Sequence, residues 1–540
     1  MKQPELDYQP TMPVVVRRAA ELFGDRPYIV TDEETTTFVD LERRSRQLAK
    51  RLLAVGVGKG TRVGMHVPVG NDWVVAWAAA ARIGALVMPF STLYAPGELG
   101  RALRMGDIHL LLAPSVMFGR DHAEFLERSI PGLASSEAGS LFLPKVPYLR
   151  SVMLLGDRTR AWATPADGES SEPLVRVSDD LLGAVEDEVV PADEMVVIFT
   201  SGSTSEPKAV VHTQGAVFRK TSLPTPGIPP PGGCVFVGQP FFWVGGLQNL
   251  GSAIQSGATI VCQPRPDPAA ALALIERTRA TMVIAWANTT QRLRADPSFA
   301  TRDLSAIPQL TMPAGDPELR HNSLGMTETV GPHTGFARPG ASPEELATPL
   351  PERLRGSWGA PLPFIGHKIV DPVSGDDLAD GEEGEICVRG YCLMTRIYKR
   401  ERHEVFDRDG WYHTGDRGFF RDGYLFFTGR LTEMIKTHGA NVSPREVELV
   451  LEAQPDVAQA FVMGVPDADR GEQVAAAIVP AGPAALDVDD LRRRLAAELS
   501  SYKVPRQFVL LRDEEVPWLA SGKPDRLSIR DILTRASDAS

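Results

Sequence analysis

The stretch Ile198-Phe-Thr-Ser-Gly-Ser-Thr-Ser-Glu-Pro-Lys208 decides how this 540-residue chain is read. Six of its eleven residues are Thr, Ser or Gly, and it follows a short apolar strand pattern at 195–200. A helical pattern at 213–222 comes next, so the stretch reads as a loop between a strand and a helix. Hydroxyls and free backbone N–H groups at such a turn can hold phosphate oxygens, with Lys208 supplying charge. It is not the Walker pattern, which needs G-x-x-x-x-G-K-[ST]. Taken alone, the same composition also makes an ordinary loop. The rest of the chain has to decide.

Upstream, helical and strand-like patterns alternate: helix at 41–55, strand at 62–67, helix at 71–83, strand at 85–90. Such alternation predicts a layered α/β architecture. The large N-terminal domain is expected over 1–429, with α/β subdomains at 1–190 and 191–350 and a polar loop at 159–172. Between 351 and 429, short strands separated by turn signals predict a small β-barrel or β-rich subdomain. A small, mobile α+β domain is expected over 430–540, with helices near 444–454 and 488–500. A large body followed by a small terminal domain implies a cleft and a hinge.

Composition narrows the partners. With 57 Lys and Arg against 69 Asp and Glu, the net charge of −12 excludes a chain-wide nucleic-acid footprint or a polybasic membrane anchor. The most apolar stretch, 73–90, carries Arg82 and reads as a buried helix rather than a membrane span. Four cysteines with no C-x-x-C pair point to buried thiols rather than a zinc or redox site. The start has no charged-then-apolar signal pattern, and a cytoplasmic protein is expected.

Downstream of 198–208 come Gly325-Met-Thr-Glu328, Tyr412-His-Thr-Gly-Asp416, Gly429-Arg430 and Ser521-Gly-Lys523. In this order and spacing the set closely resembles the adenylate-forming (ANL) superfamily: acyl-CoA synthetases, peptide-synthetase adenylation domains and luciferases. The resemblance runs from about residue 10 to about residue 530. It implies that ATP, an acid, Mg²⁺ and CoA are the reactants, with an acyl-AMP between the two halves.

The resemblance also implies roles. Thr200, Ser201, Ser203, Thr204 and Lys208 match the phosphate loop, and Gly325 belongs to the nucleotide site. Thr327 and Glu328 match the residues at the phosphate and Mg²⁺, where a carboxylate suits a hard, hydrated ion. Asp416 matches the acid on the ribose hydroxyls, and Arg430 also faces the nucleotide. Lys523 matches the lysine that bridges the acid's carboxylate and the α-phosphate, offsetting the repulsion between two anions. The hinge falls at Thr432. Lys436, His438 and Gly439 match the face that meets the thiol once the small domain has rotated. Gly439 is where a pantetheine arm would approach most closely.

Several positions depart from the family pattern. The loop usually reads T-S-G-S-T-G-x-P-K-G, but Ser205 and Ala209 stand at two of its glycines. A side chain there would block a left-handed backbone or crowd the outer phosphates. Leu324 replaces the tyrosine that packs on adenine, residues 312–323 are shorter than usual, and Thr432 replaces an Asp or Lys. Most of these changes surround ATP, which leaves two readings open: ordinary drift in a complete ligase, or loss of the ATP-dependent half. In the second case a separate adenylating ligase would supply the acyl-adenylate.

For the acid, Phe242, Trp243, Gly245 and Gly246 align with the acyl-pocket motif, and Leu324 lies beside it. No Asp occurs between 241 and 257, which disfavours an α-amino acid. A hydrophobic carboxylic acid is expected, with the two glycines leaving room and a bulky natural-product acid compatible with the same apolar set. The function expected is acyl-CoA ligase. The rivals are a ligase loading a carrier-protein thiol and an inactive nucleotide- or acyl-binding homologue.

Overall fold

The computed structural model describes residues 5–538, apart from 167–176, 201–207, 224–228, 286, 308–309, 311–320, 337–348, 432–434, 443, 483–485 and 518–523. Ser201, Ser203, Thr204, Ser205, Thr432, Lys523 and most of the shortened 312–323 segment therefore lie outside the described residues, as does the side chain of Arg430.

Two sheets carry the large domain. The first has eight strands in the order Arg396–Ile397, Lys208–Thr213, Glu194–Thr200, Leu86–Pro89, Arg62–Met65, Leu110–Pro114, Ser151–Leu155, Thr164–Pro165. The second has five, in the order Met282–Ile284, Cys234–Val237, Thr259–Val261, Pro27–Val30, Thr35–Thr37. The helix Asn71–Arg82 lies in the core that both sheets share, with every residue buried except Asp72. Trp73 meets Trp77 at 5.9 Å and Phe241 at 5.5 Å between ring centroids. Arg82 is 0% exposed, and Glu186 at 2.5 Å and Glu42 at 2.9 Å hold its charge. A buried guanidinium is tolerable only when paired in this way. Among the described residues, no helix is long and apolar enough to cross a membrane.

The division at residue 190 does not survive. Pro27–Val30 pairs in parallel with Thr259–Val261 (Ile29 opposite Ile260), while Glu194–Thr200 pairs with Leu86–Pro89. Strands from each expected subdomain are exchanged into the other's sheet. Periodicity reads elements in chain order and carries no information about such crossovers.

The loop at 201–207 also sits differently. The strand Lys208–Thr213 intervenes before the helix Gln214–Thr221 and pairs antiparallel with Glu194–Thr200. The phosphate-loop motif therefore spans the end of a β-hairpin instead of leading directly into a helix. The run Lys208-Ala-Val-Val-His-Thr213, with two adjacent β-branched valines, favours that strand.

Residues 351–429 build a four-stranded antiparallel sheet, Ile365–Val370, Gly384–Gly390, Tyr412–Arg421, Tyr424–Arg430. The small domain has a sheet centred on Gly471–Pro480, flanked by Val457–Asp467 and Gln507–Leu510. Its helices are Pro444–Glu452, Val488–Glu498 and Arg526–Asp538.

Candidate active site

Thr200 and Lys208 are register partners where the hairpin leaves the first sheet. Between them lies the segment carrying the remaining loop hydroxyls. Ala209 sits in the strand opposite Phe199 with no left-handed backbone angle, so its Cβ needs no strained backbone. That removes one of the expected obstacles to phosphate binding.

The same strand holds the Gly325-Met-Thr-Glu328 turn. His212 is fully buried, and desolvation pushes its pKa down to about 4, so the ring is neutral near pH 7. Its Nε2–H donates to the Thr327 carbonyl at 2.8 Å. The Glu328 carbonyl accepts from Met394 N at 2.7 Å, and its carboxylate Oε1 accepts from the Tyr412 hydroxyl at 2.9 Å. The Tyr412 bond occupies one carboxylate oxygen of a nearly buried acid; the chemistry of the other suits a hard divalent cation. Glu328 thus fits the Mg²⁺ role. An ion there would be held by Glu328, whose carboxylate Tyr412 orients.

Thr327–Thr329 forms a single tight helical turn that Val330 closes with φ +54° and Gly331 with φ +94°. A left-handed Val is costly, and such strain persists only where surrounding packing enforces it. The next residue is Gly331, and the Gln248 side chain occupies the place its Cβ would take.

Asp416 is re-aimed by a bulge. Glu385 faces Arg417 and Cys387 faces His413, so Thr414-Gly415-Asp416 oppose one residue of the neighbouring strand. Bulges beside active sites commonly redirect a side chain. Here Thr414 Oγ1 donates to the Ile386 carbonyl at 2.7 Å and accepts from Asp416 N at 3.0 Å. Glu385 accepts from Gly415 N at 3.0 Å and pairs with His413 Nδ1 at 2.8 Å. Cys387 Sγ lies 3.5 Å from the same nitrogen; burial pushes its thiol up to about 12, so it stays protonated. Asp416 lies opposite Arg430 on the next strand, which brings two nucleotide-contact candidates to one sheet edge.

A cavity of about 700 Å³ crosses the domain border. Phe242 and Trp243 line it from the large domain, and His438, Ala440 and Tyr502 from the small one. His438 and Gly439, with φ +49° and +77°, join Ile435–Thr437 to Ala440–Val442. Positive φ at both centres marks the two-residue hairpin turn whose twist matches the strands. Lys436 sits one step back in the strand and is exposed. Burial and then Arg470 and Arg506 lower the His438 pKa. Arg120, Arg265 and Arg292 complete a basic rim.

The acyl-pocket glycines play another part. A Cβ on Gly246 would meet the Pro240 carbonyl oxygen at 2.3 Å, and one on Gly245 would meet Gln239 Oε1 at 2.4 Å. The missing side chain of Gly246 makes room for the chain's own backbone, and that of Gly245 for the Gln239 side chain, which itself lines the cavity. Leu324 packs in the apolar cluster with Leu362 and Phe364 and is absent from the cavity lining.

Sequence reasoning gives no role to Tyr412 and does not single out His212, Glu385 or the three arginines. A polar residue within the strand-forming run 208–213 was a usable signal for His212. For the arginines there was none, because three distant segments supply them.

Residues 16–398 match the AMP-binding enzyme family and 446–523 its C-terminal domain. Among curated relatives, indoleacetate–CoA ligase of Aromatoleum aromaticum is 27% identical, over 96% of this chain and 98% of that protein. Feruloyl-CoA synthase of an Amycolatopsis species is 30% identical, over 90% and 92%. Among solved structures, the amide bond synthetase McbA of Marinactinospora thermotolerans superposes with a TM-score of 0.76 at 27% identity, over 96% and 99%. The chain belongs to the AMP-binding enzyme family, within the adenylate-forming superfamily of ligases that includes the acyl-CoA synthetases.

Proposed function

We propose that the protein is an acid–thiol ligase that passes a hydrophobic carboxylic acid, held as its acyl-adenylate, to the thiol of CoA. One observation carries this reading: the aromatic pair Phe242 and Trp243 shares a single cavity with His438 of the small domain. An activated acyl group and an incoming thiol can meet there without either domain moving. Lining dominated by aromatic and aliphatic side chains suits an apolar acid. The arginines at the rim suit an acceptor with phosphates, because guanidinium–phosphate contacts are charge-assisted and directional. That favours free CoA over a carrier-protein arm, whose nucleotide is missing.

The residues divide the work. Thr200, Lys208 and the hydroxyls of 201–207 hold the phosphates; Thr327 and Glu328 orient the α-phosphate and hold Mg²⁺; Asp416 and Arg430 fix the nucleoside. Lys523 neutralises the acid's carboxylate during adenylation. Thr432 is the hinge of the rotation between halves. Lys436, His438 and Gly439 shape the approach of the thiol. The nucleotide-forming half is the weaker one on this reading. Leu324 gives adenine no aromatic face, and Ser205 replaces a loop glycine. A separate ligase supplying acyl-adenylate is the corollary.

Two parallel reactions test this. One supplies a panel of hydrophobic acids with ATP, Mg²⁺ and CoA; the other supplies synthetic acyl-adenylates with CoA alone. Thioester from the adenylates at a much higher rate than from the acids supports the whole reading. Equal rates would refute the weakened first half, and no thioester in either would refute the ligase reading. An arm with simple amines covers amide formation, the chemistry named for McbA. Amide in place of thioester would overturn CoA as acceptor.

A further inference from the structure

A buried charge cluster joins the two domains. Glu98, in the large-domain helix Pro96–Met105, accepts from Ala95 N at 2.9 Å, from the Ser500 hydroxyl, and from Lys503 Nζ at 3.1 Å. Lys503 also donates to Glu446 at 2.9 Å. The ammonium side chain is 5% exposed, as is that of Glu98. Glu446 belongs to the helix Pro444–Glu452, which follows the hairpin bearing His438 and Ala440. Tyr502, next to Lys503, lines the cavity itself. Tyr94 and Tyr502 flank the cluster, and Arg101 pairs with Glu498 at 3.0 Å on its outer side.

Charges this deep have a consequence for motion. A buried ammonium is stable only while its carboxylates are in place, and losing one partner leaves an uncompensated charge. Glu446 travels with Lys503 because both belong to the small domain; Glu98 does not. Rotation of the small domain would part Lys503 from Glu98 and return both to water. The bond is therefore specific to one orientation, the one that sets His438 and Tyr502 on the cavity.

We propose that Lys503 and Glu98 form the catch that holds the small domain in its acceptor-attack orientation, making Lys503 a positioning residue for thiol transfer. The catch acts on the second half-reaction and so rests on the reading above. It also implies that the first half-reaction requires the catch to open.

The test uses the full chain with Glu98→Gln, Lys503→Met, both together, and Lys503→Arg. Thioester formation from supplied acyl-adenylate is expected to fall at least tenfold in kcat for either single variant, with the KM for the adenylate little changed. The double variant is expected to be no worse than the worse single one, the non-additivity of a shared pair, and Lys503→Arg to recover most of the rate. Independently of activity, spin labels at Glu124→Cys and Arg493→Cys report the distance between the domains. One narrow distance distribution is expected in the parent and a second population in Glu98→Gln. An unchanged distribution in Glu98→Gln overturns the catch, as does additivity of the two substitutions. If no protein, parent included, forms thioester, the functional reading fails while the distances still decide the catch.

Discussion

The His212 Nε2–H donates to the Thr327 carbonyl across 115 positions of sequence, at 2.8 Å. One imidazole thus ties the strand that begins at Lys208 to the turn that presents Glu328. Two segments proposed to hold the phosphates, distant in the chain, are joined by a neutral ring inside the core.

Replacing His212 with Ala is expected to loosen that tie. The orphaned buried carbonyl costs about 1–3 kcal/mol. Melting should shift downward, and titration with an acyl-adenylate should show weakened affinity while its acid preference stays the same.

Glu328→Gln keeps an acceptor for the Tyr412 hydroxyl but removes the charge that suits Mg²⁺. Any acid-dependent release of pyrophosphate should drop by two orders of magnitude or more, with the melting temperature nearly unchanged. Tyr412→Phe should cost about 1.5–3 kcal/mol of stability, the worth of a hydrogen bond to a charged acceptor. Pyrophosphate release and calorimetry separate the two.

Gly246→Ala and Trp243→Ala should act oppositely. The alanine methyl at 246 meets the Pro240 carbonyl, so overpacking of about 1–3 kcal/mol is expected, with the range of accepted acids unaltered. Trp243→Ala should widen that range toward bulkier acids, since Trp243 lines the cavity. A panel of acyl-adenylates graded by size, alongside melting curves, checks both.

Arg265→Ala with Arg292→Ala should raise the KM for CoA about tenfold or more, a charge-assisted bond being worth about 1.5–3 kcal/mol. Phosphopantetheine, which lacks the nucleotide, should be affected far less. Steady-state kinetics with both thiols at two salt concentrations makes the comparison.

Stability should fall on acidification. Burial lowers His66 to about 3 and His122, His212 and His367 to about 4, against an ordinary 6.5. Below pH 6.5 the unfolded chain takes up protons that the folded chain refuses, so stability rises with pH across the window from 4 to 6.5. Urea melts at half-unit steps should show this slope, and His122→Gln should flatten it.

Local motifs were legible because a few adjacent residues make them. The motifs at 325–328 and 412–416 could be picked out in this way, whereas the tight turn and the bulge they form depend on pairing with distant strands. The Asn71–Arg82 helix was legible too, since its alanine run and single arginine admit only a buried, paired environment. Contacts closed by the whole chain could not be read. Lys503 and Glu98 are 405 positions apart. Gly245 and Gly246 look like open space in the sequence, which does not say whose atoms fill the place of a missing side chain.

The exchange of strands between the two sheets also bears on how the protein is made. Ile260 lies 231 positions after Ile29, its partner in the second sheet. At a synthesis rate of about 5–20 residues per second, Pro27–Val30 waits roughly 10–50 s for that partner to be made. The second sheet cannot close in the meantime, and the Asn71–Arg82 helix lacks that wall although every strand of the first sheet except Arg396–Ile397 is already made. The nascent chain must be shielded for that interval, and a fragment ending near residue 190 should emerge as aggregate rather than as a folded half.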